Sequence, residues 1–256
     1  MAQVEYDGAH SITFGDGSLT SDGKFAGMNT WTNWHLVPSS RPTMPMPGFA
    51  TKYIEIPGRD GTIDLSEFLV KRPVYGDRSG SFEFYVDNTK EKDWIGLYRR
   101  IATYLHGKRM KMCLTGDDPE YYYEGRFSLN EWASDQNWSR IVINYQVGPY
   151  KKALRVQGAE DIIWDNFNFN TDYHWYVVFS DLEVTTTKRF TMPGSDYPYS
   201  IHAACTDGTV TVSFNGDTKT FTAGEDGNVG LASLMDGTLT ISGNGHVTLS
   251  YREGSL

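Results

Sequence analysis

Turn signals recur along this chain at short intervals, and they limit the folds that it can adopt. Asp-Gly and Asn-Gly pairs favour the positive φ angles of short hairpin loops. They occur at 7–8, 16–17, 22–23, 60–61, 215–216, 226–227, 236–237 and 244–245, among other places. Between them lie segments of alternating apolar and polar residues, which are SFEFYVD (81–87), RIVINYQV (140–147), TVTVSFNG (209–216) and HVTLSYR (246–252). Because a period of two places one face of a strand on a core, we predict a mainly β protein with a dozen or more strands.

One segment breaks this pattern and predicts a helix. In NTKEKDWIGLYRRIATYLHGK (88–108), apolar residues recur at helical spacing. They are Trp94, Leu97, Tyr98, Ile101 and Leu105. Asn88 and Glu91 stand where an N-cap and its third-position partner would, and Gly107 can close the carboxyl end. We therefore expect one amphipathic helix whose opposite face carries Arg99 and Arg100, either as a solvated face or as a subunit contact.

Charge separates the two ends of the chain. Residues 1–152 carry 18 Lys and Arg against 19 Asp and Glu, whereas residues 153–256 carry 5 against 13. Near the same point Gly148-Pro149 stops a strand, so we predict two domains, 1–152 and 153–256, the second a smaller β-sandwich. Because an acidic domain of this kind repels phosphate backbones, we do not expect it to bind nucleic acid.

Composition excludes several classes of protein. Apolar residues make up 39% of the chain and aromatic residues 14%, which can fill a globular core. No run approaches eighteen apolar residues, and the amino end has no basic start followed by an apolar block, so neither a membrane span nor an export signal is expected. Cys113 and Cys205 fall in different predicted domains, so no disulfide between them is expected.

The stretch YIEIPGRDGTIDLSEFL (53–69) contains half of a calcium-loop pattern. The first two ligand positions of such a loop would be Ile56 and Gly58, which offer no side-chain oxygen. A strand with a tight turn at Gly61 is the interpretation that fits. Just before it, PSSRPTMPMPG (38–48) holds four prolines and must be extended, as a loop or as an arm that leans on a neighbouring molecule.

No catalytic motif stands out. The chain has no Gly-x-Ser-x-Gly, and its six histidines lack the spacing common in metal sites, so we expect neither an enzyme nor a cofactor. Carbohydrate binding is the alternative, because aromatic side chains beside Asp and Asn can receive a sugar ring. The candidates are Trp164, Tyr173 and Trp175, whose other interpretation is as the core of the small sandwich.

Several motifs, taken in order, resemble the amino-terminal domain of siphophage distal tail proteins. Within residues 10–152 they are IPGRDGTIDLS, DWIGLYRRIATYLHGKRMKMCL, DDPEYYYEGRF and a strand ending in GPYKK. The closing portion, from IIWDNFNFNTD to ISGNGHVTLSYREGSL, resembles the galectin-like β-sandwich that often completes these proteins. The resemblance implies a tail-tube-like β-sandwich or split barrel with one helix, followed by that smaller galectin-like sandwich.

The resemblance also implies structural work rather than catalysis. Six copies would form a ring at the phage tail tip and connect the tail tube to the baseplate around a channel through which DNA passes without specific binding. The implied partners are the tail tube protein, a tail-associated lysin or tail fibre hub, and receptor-binding proteins, with no membrane insertion. The protein would belong to the virion and occupy the host cytoplasm during assembly. The candidate subunit-interface residues are Arg59, Met44, Met46, Arg99 and Arg100.

Overall fold

The computed structural model describes residues 6–135, 137–155 and 179–256. Contacts within the chain divide it into two compact units, of which the first ends at Leu154 and the second spans Arg155–Ser255. Strands dominate both units, so the prediction of a mainly β protein with one helix is confirmed. The functional roles that the sequence suggested for the two predicted domains stay predictions.

The first unit is built on a large antiparallel sheet whose strands run in the order β2-β1-β7-β8-β9-β6-β3, with β10 beside β8. The strands of this unit are β1 (Thr13–Gly15), β2 (Met28–Asn29), β3 (Leu36–Pro38), β4 (Tyr53–Glu55), β5 (Thr62–Asp64), β6 (Arg78–Val86), β7 (Arg109–Leu114), β8 (Asp118–Ser134), β9 (Ser139–Val147) and β10 (Lys151–Ala153). Among the described strands, β4 and β5 pair with each other and with no other strand. The predicted alternation is visible in β6, where Phe82, Phe84 and Val86 are buried.

Both faces of this sheet are covered near β7 and β8. Met112 and Tyr123 point into the main core, whereas their neighbours Cys113 and Tyr122 join a smaller cluster with Phe25 and Leu154. Since successive residues of a strand point to opposite faces, the two clusters lie on opposite sides of the sheet.

The predicted helix is present as α1 (Trp94–Leu105), and Leu97, Ile101 and Leu105 bury its apolar face in the main core. The predicted N-cap is wrong. Asp93 caps the helix by accepting a 2.9 Å hydrogen bond from the Gly96 amide. Residues 88 and 89 instead form a turn, because the Asp87 carboxylate accepts from the amide and hydroxyl of Thr89.

The second unit is organised around two long strands that pair along almost their whole length. The strands of this unit are β11 (Leu182–Val184), β12 (Lys188–Met192), β13 (Ile201–Phe214), β14 (Asp217–Thr222), β15 (Asp226–Val229), β16 (Gly237–Ser250) and β17 (Gly254–Ser255). The first half of β13 pairs with β15 and its second half with β14. Likewise β16 pairs first with β12 and then with β11, so the two halves of the long strand pair have different neighbours.

Glycines allow the long strand pair to bend at a bulge. Gly208 of β13 stands opposite Gly245 of β16, beside a bulge at Cys205 and Asp207. A Cβ on Gly208 would lie 2.1 Å from the Asn244 carbonyl oxygen, and one on Gly245 would lie 2.1 Å from that of Asp207. The hairpin turn predicted at 244–245 is therefore wrong, because these residues lie inside β16, where glycine permits close approach of two backbones.

Candidate interaction surface

An arm of residues 46–77 interrupts the chain between β3 and β6 of the first unit. Its two sides meet at the base, where the Gly76 amide donates to the Gly48 carbonyl at 2.8 Å and the Ala50 amide donates to that of Val74 at 2.8 Å. Beyond the base, β4 and β5 form a hairpin whose paired residues run from Tyr53–Asp64 to Glu55–Thr62. The arm therefore has a structure of its own rather than the form of a random loop.

The hairpin tip follows the turn chemistry that the sequence indicated. Gly58 has φ +81° and Gly61 has φ +78°, and the Arg59 amide donates to the Ile56 carbonyl at 3.1 Å. Every residue from 51 to 62 is exposed, which includes the interface candidate Arg59. The structure thus places Arg59 at the outermost turn of the arm, where a neighbouring molecule can reach it.

Large apolar side chains cover the arm although solvent surrounds it. Nine of the seventeen exposed large apolar residues of the described chain lie between 46 and 74. They are Met46, Phe49, Tyr53, Ile54, Ile56, Phe68, Leu69, Val70 and Val74. Leu69 is 89% exposed and Phe68 74%. A concentration of exposed apolar side chains in one segment favours contact with another protein.

A buried arginine fixes the base of the arm. Arg78 is only 3% exposed, and its Nε donates to the Pro149 carbonyl at 2.8 Å while Nη1 donates to the Pro45 carbonyl at 2.7 Å. Its guanidinium lies 5.5 Å from the ring centre of Tyr123, and Nη2 has no hydrogen-bond partner among the described residues. Arg78 therefore joins the proline-rich entry of the arm to the turn after β9.

The two predicted interface methionines differ in their surroundings. Met44 is partly buried against the main core of its own unit, whereas Met46 is 77% exposed at the start of the arm. The segment before them is tethered, since Arg41 Nε donates to Asp117 at 2.7 Å and His10 Nδ1 lies 3.0 Å from the same carboxylate. Met46 is thus available to a partner, and Met44 holds the segment in place.

A groove runs beside α1 in the same unit, lined along part of its length by the candidates Arg99 and Arg100. It consists of two cavities of about 590 and 650 Å³ that share Tyr104 and Lys108. No residue of the arm lines either cavity. Arg100 pairs with Glu91 at 2.7 Å, whereas Arg99 has no carboxylate partner in the described part of the chain. We call these two cavities together the groove.

Two groups in the groove have shifted pKa values. Glu124 accepts hydrogen bonds from Lys152 and Arg109, each at 3.0 Å, and these bonds lower the pKa of its carboxyl. Burial raises the pKa of Tyr104, whose hydroxyl donates to the Phe14 carbonyl at 2.9 Å. Near neutral pH Glu124 is therefore anionic and Tyr104 is neutral. The net charge of the groove is positive, because its Lys and Arg side chains outnumber its carboxylates.

The structure describes no catalytic or metal centre among the remaining candidate residues within its described ranges. Trp164, Tyr173 and Trp175, proposed for carbohydrate binding, lie outside the described residues. Cys113 and Cys205 are free and buried, as expected, and burial raises the pKa of the Cys113 thiol to about 12. Within residues 6–135, 137–155 and 179–256 no three metal-ligating side chains come together, and no helix is long and apolar enough to cross a membrane.

Sequence reasoning missed two apolar surfaces. Phe68, Leu69 and Val70 form an exposed apolar run in the arm, and the signal for them was an apolar run directly after a turn. In the second unit, the loop between β15 and β16 exposes Leu231 and Met235. That loop gave no periodic signal, because a loop held by backbone hydrogen bonds follows no repeat.

Comparison with known proteins bears on the fold. No family model and no curated protein sequence matches this chain. Among solved structures it is similar to the SPP1 Dit protein (gp 19.1), described as a paradigm of the hub adsorption apparatus in phages that infect Gram-positive bacteria. The TM-score is 0.57, and the match covers 96% of this chain and 99% of SPP1 Dit at 11% identity. This chain has the fold of SPP1 Dit. The predicted fold class is thereby confirmed, whereas the galectin-like character of the second unit stays a prediction.

Proposed function

We propose that this protein is a structural hub of a phage tail tip, which joins the tail tube to the receptor-binding apparatus. The observation that carries the proposal is the likeness of fold to SPP1 Dit, which spans nearly the whole length of both chains. A match of this extent covers both units rather than a single common module. The proposed role is structural and non-enzymatic, and its place is the virion, with the host cytoplasm as the site of assembly.

The arm supports assembly from several copies. A projecting hairpin with exposed apolar side chains is costly for a protein that works alone, because uncovered apolar surface favours association. If the arm of each copy contacts a different surface of the next, the contact is heterologous and repeats until a ring closes. We propose a ring of six copies, with the tail tube protein on one side and a lysin or fibre hub and receptor-binding proteins on the other.

Charge is compatible with a channel for DNA at the centre of such a ring. A lumen must let a polyanion slide, and each Lys or Arg contact with a phosphate retards it. Residues 1–152 are nearly neutral and residues 153–256 are strongly acidic. DNA would therefore pass through the ring without being bound by it.

Light scattering over a range of protein concentrations tests the proposal. We expect the purified chain to form a discrete oligomer, and electron microscopy of negatively stained particles to show a ring with a central hole. The double variant Phe68→Ser/Leu69→Ser should lower the oligomeric mass, because it removes apolar contact from the arm. Its matched control is Leu231→Ser/Met235→Ser, which changes two exposed apolar residues of the second unit. A chain that stays monomeric at every concentration, and also when mixed with the tail tube protein, would contradict the proposal.

A further inference from the structure

We propose that the hairpin of one copy docks into the groove beside α1 of a neighbouring copy. This inference rests on the proposed function, because it names the partner that the arm meets in the assembly. The two surfaces belong to the same unit, yet none of the residues that line the groove comes from the arm. Each copy therefore carries one hairpin and one groove, and the hairpin does not line the groove of its own chain.

The hairpin side of the contact is acidic and apolar. Residues 53–67 hold four carboxylates against one guanidinium, that of Arg59. Glu55, Asp60 and Glu67 are exposed. Asp64 accepts from the amide and hydroxyl of Ser66, and the resulting hydrogen bonds lower the pKa of its carboxyl. The hairpin thus presents negative charge beside the apolar side chains of β4 and the tip.

The groove has the complementary properties. Its cationic side chains are Arg99, Arg100, Lys108, Arg109 and Lys111. Arg100 is paired with Glu91 and Arg109 with Glu124, whereas Arg99, Lys108 and Lys111 have no carboxylate partner in the described part of the chain. Apolar surface lies between these charges, since Met28 is exposed there and Met110 and Tyr104 are half-buried. Opposite charges steer the two surfaces together, and the apolar side chains then exclude water from the contact.

The composition of the groove favours a protein segment over a nucleic acid. A phosphate backbone offers charge without apolar side chains, so it would leave the apolar part of the groove uncovered. A hairpin that carries isoleucines as well as carboxylates can contact the apolar part and the cationic part of the groove. It is also compact, because three paired residues of a strand extend only about 10 Å.

Charge reversal on each side, followed by their combination, tests the pairing. The hairpin variant Glu55→Lys/Asp60→Lys and the groove variant Arg99→Glu/Lys108→Glu should each weaken self-association by at least about tenfold, because like charges then face each other. A chain that carries all four substitutions should regain most of the oligomer, because the hairpin is then basic, the groove is acidic and the two surfaces attract each other again. The control Lys188→Glu/Arg189→Glu changes two adjacent basic residues of β12 and should leave assembly unchanged. If the groove instead binds DNA or another polyanion, the groove variant should lose binding to that polyanion and still assemble. That result would overturn the inference.

Cross-linking provides a second, independent readout. Ile56→Cys places a thiol at the hairpin tip and Thr103→Cys places one in the groove, whereas the native cysteines are buried. With a short bismaleimide, a mixture of the two single variants should give a cross-linked dimer, and the double variant should give a ladder of higher multimers. Each single variant alone should give far less product.

The two proposals fail in different ways. A wild-type chain that forms rings, with no cross-linking between the two positions and no rescue by the fourfold reversal, would overturn the docking inference and leave the hub proposal standing. A wild-type chain that never associates, in light scattering or in cross-linking, would overturn both.

Discussion

At the scale of single residues, the buried cation Arg78 is the least expected feature of the chain. Charged side chains are seldom fully buried without a carboxylate, because removal from water is costly. Arg78 meets two backbone carbonyls and an aromatic ring instead. Nothing in the sequence indicated this, since its partners Pro45 and Pro149 are distant in the chain. By contrast, the roles of Gly61 and Gly107 followed directly from local turn chemistry.

Replacement of Arg78 by leucine should destabilise the first unit and loosen the arm. The carbonyls of Pro45 and Pro149 would lose their donors, at a cost of about 2 to 4 kcal/mol. In hydrogen exchange, the amides of Ala50 and Gly76 at the base of the arm should exchange at least about tenfold faster. The exposed Arg126 serves as the control, and Arg126→Leu should change stability by no more than about 0.5 kcal/mol. Equal effects of the two variants would contradict the anchoring role.

Glu124 makes the stability of the first unit depend on acid. Its ion pairs with Lys152 and Arg109 lower its pKa in the folded state below the ordinary value of 4.5. Its contribution is therefore present above the unfolded pKa and is lost as pH falls through the folded one. In Glu124→Gln, the free energy of unfolding measured with denaturant should depend less on pH below about pH 5. At neutral pH this free energy should fall by no more than about 1 kcal/mol, because solvent screens the ion pairs. A profile parallel to that of the wild type would rule out this role.

At the scale of elements, local patterns predicted where strands and the helix lie better than where they begin and end. The apolar spacing of α1 was sufficient, whereas its N-cap is Asp93 rather than Asn88, because Asp87 holds the residues after it in a turn. The Asn215-Gly216 pair forms the two-residue hairpin loop that it predicts, with both φ angles positive. The same kind of pair at 244–245 lies inside a strand, because tertiary contact with β13 decides its use.

Gly208 and Gly216 provide a matched test of the bend in the second unit. Both have positive φ, of +72° and +87°, but an added Cβ meets the Asn244 carbonyl at Gly208 and nothing within 4 Å at Gly216. Gly216→Ala should cost about 1 to 2 kcal/mol for its backbone conformation alone. Gly208→Ala should cost about 1 to 3 kcal/mol more, because the two strands must move apart. Chemical denaturation measures both, and similar losses would show that the bend tolerates a side chain.

At the scale of the whole molecule, each unit has its own core. Ile101 belongs to the core of the first unit and Ile241 to that of the second, and both are completely buried. The sequence indicated two parts through a change in charge and a Gly-Pro stop. It could not indicate the order of strands in either sheet, because pairings such as β1 with β7 join segments distant in the chain.

Calorimetry of two core variants tests whether the units unfold separately. We expect Ile101→Ala and Ile241→Ala each to cost about 2 to 5 kcal/mol, and each to lower the melting temperature of one transition only. The two substitutions are chemically identical, so each is the control for the other. A single transition that both variants shift equally would show that the chain unfolds as one cooperative body.

In the ring that we propose, the direction of the arm distinguishes the two sides of the assembly. A closed circle in which every hairpin reaches toward the following copy runs in one rotational sense, clockwise or anticlockwise. Such a circle cannot be turned over and still look the same, so its upper and lower rims differ chemically although every subunit is identical. An asymmetric washer of this kind can bind one type of neighbour above and another below.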